Sequence, residues 1–338
     1  KTSMTEHVKA GVIGVGYLGR FHAQKYAKMA GVELVGVADA DPQRAAQVAD
    51  ECGTRPFADY RELLPLVDAV SVVVPTVLHH EVARTCLLAN LDVLVEKPIT
   101  TTLAEADDLI ALARERGRIL QVGHLERFNP AVLAMQPLLT HPLFIEAHRL
   151  SVFKERGTDV DVVLDLMIHD IDIILSIVHA DIDQILTAGA PVVTPLTDIA
   201  NARIVFTDGC TANITVSRIS MENMRRMRIF QPGRYLSVDF NKKEVMSVRL
   251  RPGSEGGMPL PEIDKAGMPD QDQLELELTD FLDHVRERSR PAVSGEAGRR
   301  ALDVALRVVG QIRENRARVE EVLRRSGEAD LLGLTGLR

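Results

Sequence analysis

Residues able to do chemistry concentrate in a few short stretches of this chain. Gly14-Val15-Gly16-Tyr17-Leu18-Gly19 lies between an apolar run, Val8 to Ile13, and a helical pattern that opens at Arg20. A second apolar run ends at Asp39, twenty residues after Gly19. Glycines at this spacing permit a tight turn, close approach of a pyrophosphate and close helix packing, and the acid suits ribose hydroxyls. The N–H groups that open the helix add a partial positive charge for phosphates. Another stretch, Val93-Leu94-Val95-Glu96-Lys97-Pro98, carries a Glu and a Lys to the very end of an apolar run. A lysine at the tip of a buried strand is costly unless it has a partner or a task, and the competing reading is a Glu-Lys pair on a loop. The last stretch is Asp165-Leu166-Met167-Ile168-His169-Asp170-Ile171-Asp172, in which Asp165 and His169 are four apart and share a helix face. It reads as a metal site using Asp165, His169 and Asp172, as a helix start whose acids suit the dipole, or as a general base. A histidine with a pKa near ~6.5 can accept a hydroxyl proton as hydride leaves carbon, so a nicotinamide site in the same chain favours the last reading.

These stretches need elements to position them. Asp41-Pro42 predicts an N-cap and first-turn proline for a helix to about Cys52. Val67 to Val74 predicts a buried strand ending at Pro75-Thr76, and Leu78-His79-His80 opens a helix to about Asn90. Thr102-Leu103-Ala104-Glu105 is a capping box for a helix closed by Gly117, and Ile119 to Val122 is a further strand. Strands alternating with helices predict a parallel, doubly wound sheet over residues 1–124. Ligands bind beyond the carboxyl ends of such strands, where Gly14, Asp39, Pro75-Thr76, Lys97 and Gly123-His124 fall.

Residues 125–338 follow another pattern. After a short helix from Asn129 to Leu139 and a strand-like run, Leu143 to Val152, Asp165 to Val178 is apolar and helical. Ile185 to Leu250 holds alternating runs with a hairpin signal at Asp208-Gly209, Pro252 to Pro269 reads as a loop, and helices are expected over Gln273 to Arg288 and Gly298 to about Arg318. This predicts an α+β domain with a large, mainly antiparallel open sheet, whose apolar face would meet a second subunit.

The chain has 338 residues, a formal net charge of −8 and a mean hydropathy near zero, without the electrostatic footprint of a nucleic-acid or anionic-membrane binder. Its three cysteines, Cys52, Cys86 and Cys210, are scattered, which suggests packed reduced thiols in a cytoplasmic protein, not a disulfide or metal framework. The apolar runs fall short of the roughly 20 residues that span a bilayer. The first residues lack the apolar core of a signal peptide.

Taken together, Gly14 to Gly19, Asp39, Pro75-Thr76 with His79, Glu96-Lys97-Pro98 and Asp165-x-x-x-His169 resemble the glucose–fructose oxidoreductase and inositol dehydrogenase family over nearly the whole chain. The resemblance implies a Rossmann-type dinucleotide domain followed by an open α/β domain, oligomers (a homodimer or homotetramer) built through its sheet, and oxidation of a sugar or cyclitol alcohol. It implies a dinucleotide held by Gly14, Gly16, Tyr17, Leu18, Gly19, Asp39, Pro75, Thr76, His79, Glu96 and Lys97. It also implies that Lys97 is the active-site lysine, that Asp165 and His169 are the catalytic pair, and that the Lys97-Pro98 bond is cis. The carboxylate of Asp39 favours NAD over NADP, since it would repel a 2′-phosphate. Gly123-His124-Leu125-Glu126-Arg127-Phe128-Asn129-Pro130 and the stretch from Arg149 through Lys154-Glu155-Arg156-Gly157 are similar to the branch acting on UDP-sugars. For such a substrate, Arg127 and Arg156 are the candidates for the diphosphate, with Asn129 and His169 as further contacts. The alternatives are a dehydrogenase of a free sugar or inositol and a non-catalytic dinucleotide-binding regulator.

Overall fold

The computed structural model describes residues 7–153, 160–251 and 260–326. The chain divides into two compact units, Lys1–Phe128 with Gln271–Leu302, and Asn129–Asp270 with Asp303–Arg338.

The first unit is built on six parallel strands, β1 (Val8–Ile13), β2 (Val32–Ala38), β3 (Arg55–Phe57), β4 (Ala69–Val72), β5 (Asp92–Glu96) and β6 (Leu120–Gly123). Their order, β3-β2-β1-β4-β5-β6, is that of a doubly wound dinucleotide-binding sheet, with its switch point between β1 and β4. Helices α1 (Tyr17–Tyr26), α2 (Pro42–Cys52), α3 (His79–Leu88) and α4 (Leu103–Arg116) connect the strands. Local chemistry sets their ends. The Asp41 carboxylate accepts the N–H groups of Gln43 and Arg44, and Gly53 closes α2 in the left-handed region. At α4 both halves of the capping box form between Thr102 and Glu105. Helix α1 begins three residues earlier than the pattern at Arg20 suggests, because the glycine loop runs straight into its first turn.

The boundary expected at 124/125 differs from the observed division. A later helix, here called α7 (Gln273–Glu287), belongs to the first unit. Leu274, Leu278, Phe281, Leu282 and Val285 form its apolar stripe and share one core with Val8, Ala10, Val12, Ala23, Tyr26 and Leu94. Lys25 ties α1 to the helix start through Asp272 at 2.6 Å, and Arg288 reaches Asp92 at 2.6 Å.

The second unit contains α5 (Pro130–Met135), α6 (Ile168–Ile177), and an eight-stranded sheet ordered β14-β13-β12-β11-β7-β10-β9-β8. Its strands are β7 (Phe144–Leu150), β8 (Ile182–Ala190), β9 (Ile199–Phe206), β10 (Thr211–Ser217), β11 (Met224–Gln231), β12 (Arg234–Asp239), β13 (Glu244–Arg251) and β14 (Leu260–Gly267). All neighbours are antiparallel except β7 and β10. The expected loop over 252–269 is corrected in part. Leu260–Gly267 pairs along the whole of β13, while 252–259 lies outside the described residues. Proline and glycine mask this strand in the sequence, and Pro261 is tolerated because the strand is an edge. Helix α8 (Gly295–Arg325) is longer than expected at both ends; Gly295 packs on Ile110 and Leu120, and Ile312 packs under Gly189.

The three cysteines are free, and Cys86 and Cys210 are buried. Burial pushes the Cys86 thiol up to about 12. Among the described residues no helix is long and apolar enough to cross a membrane.

Candidate active site

In the first unit the glycine loop follows β1. Gly14 has φ +86°, and a Cβ there would lie 2.5 Å from the Val73 carbonyl oxygen. A Cβ on Gly19 would fall 1.8 Å from the Gly14 carbonyl oxygen, so this helix turn can sit against the strand only without a side chain. Gly16 differs, because the space beside it is open to 4 Å. It caps α1 with no side chain on the first N–H groups. An open approach to bare amides at a helix start fits the pyrophosphate of a dinucleotide. Asp39 stands beside the loop and accepts N–H bonds from Val15 and Asp41, both at 2.9 Å. Arg44 comes within 3.6 Å of Asp39 and 3.5 Å of Asp41, with its side chain still half exposed. Val15, Gly16, Tyr17, Arg20, Phe21, Arg44, Gln47 and Val48 line an open groove of about 440 Å³ here. Tyr17 is 65 % exposed on its rim, edge-on to Phe21.

Beyond β4, Pro75 precedes a 3-10 turn, Thr76–Leu78. His79 is buried, with Nδ1 2.8 Å from the Pro98 carbonyl and Nε2 2.9 Å from the Val74 carbonyl. It thus clasps the ends of two strands. Burial lowers its pKa, and the two carbonyls offset part of that effect. Glu96 ends β5 buried, and its Oε2 accepts the backbone N–H of Lys97 at 3.2 Å. Lys97 is half-buried, and its bond to Pro98 is cis. Arg127 is half-buried in the 3-10 turn Leu125–Phe128.

In the second unit Asp165 lies in a π turn, Val163–Met167, that runs directly into α6. The sequence signals a helix here but not its wide turn, a feature frequent at functional sites. Asp161 caps the start by accepting the Val163 N–H at 2.9 Å. Asp165 and His169 are half-exposed, whereas Asp170 and Asp172, just after them in the chain, are buried. Asp170 takes a bidentate bond from buried Arg149 at 2.9 and 3.0 Å, and Arg149 stacks 5.5 Å from the Phe240 ring centroid. Arg149 is therefore part of the core, although its sequence neighbourhood suggests the substrate. Asn129 is 1 % exposed; its oxygen accepts the Ala131 N–H and caps α5, and its nitrogen donates to the Phe240 carbonyl. Both ends of that side chain are committed to the fold. Arg156 lies outside the described residues.

The parallel sheet, its strand order and the glycine loop define an oxidoreductase of the dinucleotide-binding class. Residues 8–124 match the oxidoreductase family with an NAD-binding Rossmann fold. The chain is 41% identical over 303 residues to a UDP-N-acetylglucosamine 3-dehydrogenase of Acidithiobacillus ferrooxidans, covering 89% of this chain and 96% of that one. A solved structure of the enzyme of that name from this organism superimposes with a TM-score of 0.84 at 40% identity, over 90% of this chain and 97% of the other. A myo-inositol 2-dehydrogenase of Thermotoga maritima is 25% identical over 336 residues, 94% of this chain and all of that one. The chain belongs to this NAD-binding oxidoreductase family, the one that its sequence motifs resemble.

Proposed function

We propose that this protein oxidises a secondary alcohol of a nucleotide sugar with NAD, at C3 of UDP-N-acetylglucosamine or a closely related UDP-sugar, to give the 3-keto sugar. The observation that carries this reading is the likeness to a UDP-N-acetylglucosamine 3-dehydrogenase, which extends through both units. NAD, when bound, supplies the hydride acceptor. Gly14, Gly16 and Gly19, with the amides of Tyr17 and Leu18, receive its pyrophosphate, and Asp39 receives a ribose. Pro75, Thr76 and Glu96 shape the strand ends beside it, held by the His79 clasp. Lys97 hydrogen-bonds the reacting hydroxyl oxygen and stabilises the negative charge that builds there. Asp165 orients His169, which takes the hydroxyl proton. Arg127 and Arg156 pair with the diphosphate, for which a guanidinium is suited by its planar donors. Asn129 supports the substrate side by fixing the start of α5.

The open face of the eight-stranded sheet joins copies into a homodimer or homotetramer in this reading. It carries an aromatic row, Phe144, Phe230 and Tyr235, with centroids 5.7 and 5.0 Å apart. Three free cysteines suit a cytoplasmic setting.

The test is a panel of UDP-sugars, free sugars and inositols with NAD, read by absorbance of the reduced cofactor. Turnover with a UDP-N-acetylhexosamine and little with inositol supports the proposal. Turnover of inositol without response to UDP-sugars would move the protein to the second reading, which the full-length match to a myo-inositol 2-dehydrogenase favours. NAD binding with no turnover anywhere would make it a non-catalytic binder.

A further inference from the structure

His22 on α1, Glu96 at the end of β5 and Glu277 on α7 meet inside the first unit, with one ligand-type atom from each within 4.8 Å of the others. They are 0, 7 and 0 % exposed. His22 Nε2 lies 3.2 Å from Glu96 Oε1 without hydrogen-bond geometry, and both carboxylate oxygens of Glu277 are buried without a hydrogen bond. Gly123 leaves the space for this group, since a Cβ there would stand 2.7 Å from Glu96 Oε1. Three segments far apart in sequence, α1, β6 and α7, thus converge on the β5 carboxylate that receives the Lys97 N–H.

Of two carboxyl groups this close in an apolar interior, one takes up a proton unless a cation sits between them. Among the described residues no ion pair neutralises Glu277. Burial, then Glu96, then Asp280 push its pKa well above the glutamate range. The other groups around it do not reverse this. Tyr26 on α1 is held by Ser71 on β4 at 2.9 Å, and Gln121 on β6 meets Glu277 at its backbone carbonyl, at 3.5 Å, and hydrogen-bonds the Asp280 side chain. Asp280, one turn along α7, is itself raised, chiefly by burial, with His284 3.5 Å away.

We propose that Glu277 is held in the folded protein as a neutral carboxylic acid and acts as a positioning residue, its proton allowing Glu96 to be buried beside His22 and so to fix the strand end that bears Lys97. This rests on the assignment of Lys97 above.

The experiment uses the full chain with NAD and the variants Glu277→Gln and Glu277→Leu. A glutamate released on unfolding loses its proton above about pH 4.3, whereas the folded state keeps it to higher pH. Between those limits the folded state binds one more proton at Glu277, so the contribution of this group to wild-type stability falls as pH rises, about tenfold in the folding constant per pH unit. Glu277→Gln, which copies the neutral acid, removes this slope. It therefore gains on wild type by about tenfold per unit from about pH 5 upward and keeps turnover within about threefold. Glu277→Leu lowers kcat by about tenfold while Kd for NAD moves less than about threefold. Parallel pH dependence in wild type and Glu277→Gln would overturn the neutral acid, as would a stoichiometric divalent metal in wild type that the Gln variant lacks. Unchanged kcat in Glu277→Leu would overturn the positioning role; if that variant does not fold, the Gln variant and its pH slope still decide. Full turnover in Lys97→Met would remove the lysine assignment alone, leaving the pH slope to judge Glu277.

Discussion

The two sheets of this protein handle burial in opposite ways. In the six-stranded sheet every residue of β4, β5 and β6 is buried, as expected of parallel strands covered on both faces. In the eight-stranded sheet β7 alternates strictly between buried and half-buried positions, and β12 follows the same period over most of its length. Side chains along the first sheet therefore mainly pack, with Ser71 and Gln121 hydrogen-bonded inside it, and its charged groups Asp39, Glu96 and Lys97 stand at the strand ends. The second sheet keeps one face able to carry ion pairs and aromatics. Arg228 meets Glu146 across strands at 3.0 Å there, and Arg226 meets Asp239 at 3.2 Å. The difference teaches where function can be placed: at edges and ends in one unit, on a face and on the π turn of a helix in the other.

This contrast can be broken from either side. The largest effect is expected from Arg149→Leu, which strands the buried Asp170 charge behind the second sheet and should cost about 3–5 kcal/mol. Denaturation followed in each unit should show the loss in the second, with NAD still bound by the first; equal loss in both would erase the distinction. Lys97→Met tests the strand-end principle. Turnover should fall by about 10²–10³ while the melting temperature and the Kd for NAD stay close to wild type. His169→Ala should act similarly from the π-turn side, by about 10²-fold or more. Phe230→Asp tests the open face. A charge amid Phe144 and Tyr235 should dissociate the proposed oligomer, as read by light scattering, and cost the isolated protomer about 1 kcal/mol or less, because the site is 38 % exposed. An unchanged mass would refute assembly through this face.

Local rules made much of the first unit legible. The Asp41-Pro42 start of α2, the Thr102–Glu105 box of α4 and the glycine loop each depend on residues within a few positions of one another, and each forms as read. Strand β14 was hidden because its composition, with Pro261 and Gly267, has little strand character; it forms because β13 offers it an edge. The His79 clasp was hidden for a similar reason. A histidine near a strand end is a ligand candidate in sequence, and only the carbonyls of Val74 and Pro98 show that its nitrogens are occupied within the fold.

The sequence by itself determined most of the order of strands and helices, though not β3 or β14, together with the dinucleotide loop and the residue types available for alcohol oxidation, because periodicity, caps and glycine spacing act over a turn or two of chain. Tertiary structure alone decided that α7 returns to the first unit after the intervening Asn129–Asp270, that Arg149 serves Asp170, and that His22 and Glu277 gather on Glu96. Those outcomes depend on which buried surfaces and charges find each other at long sequence separation, and no local pattern records that.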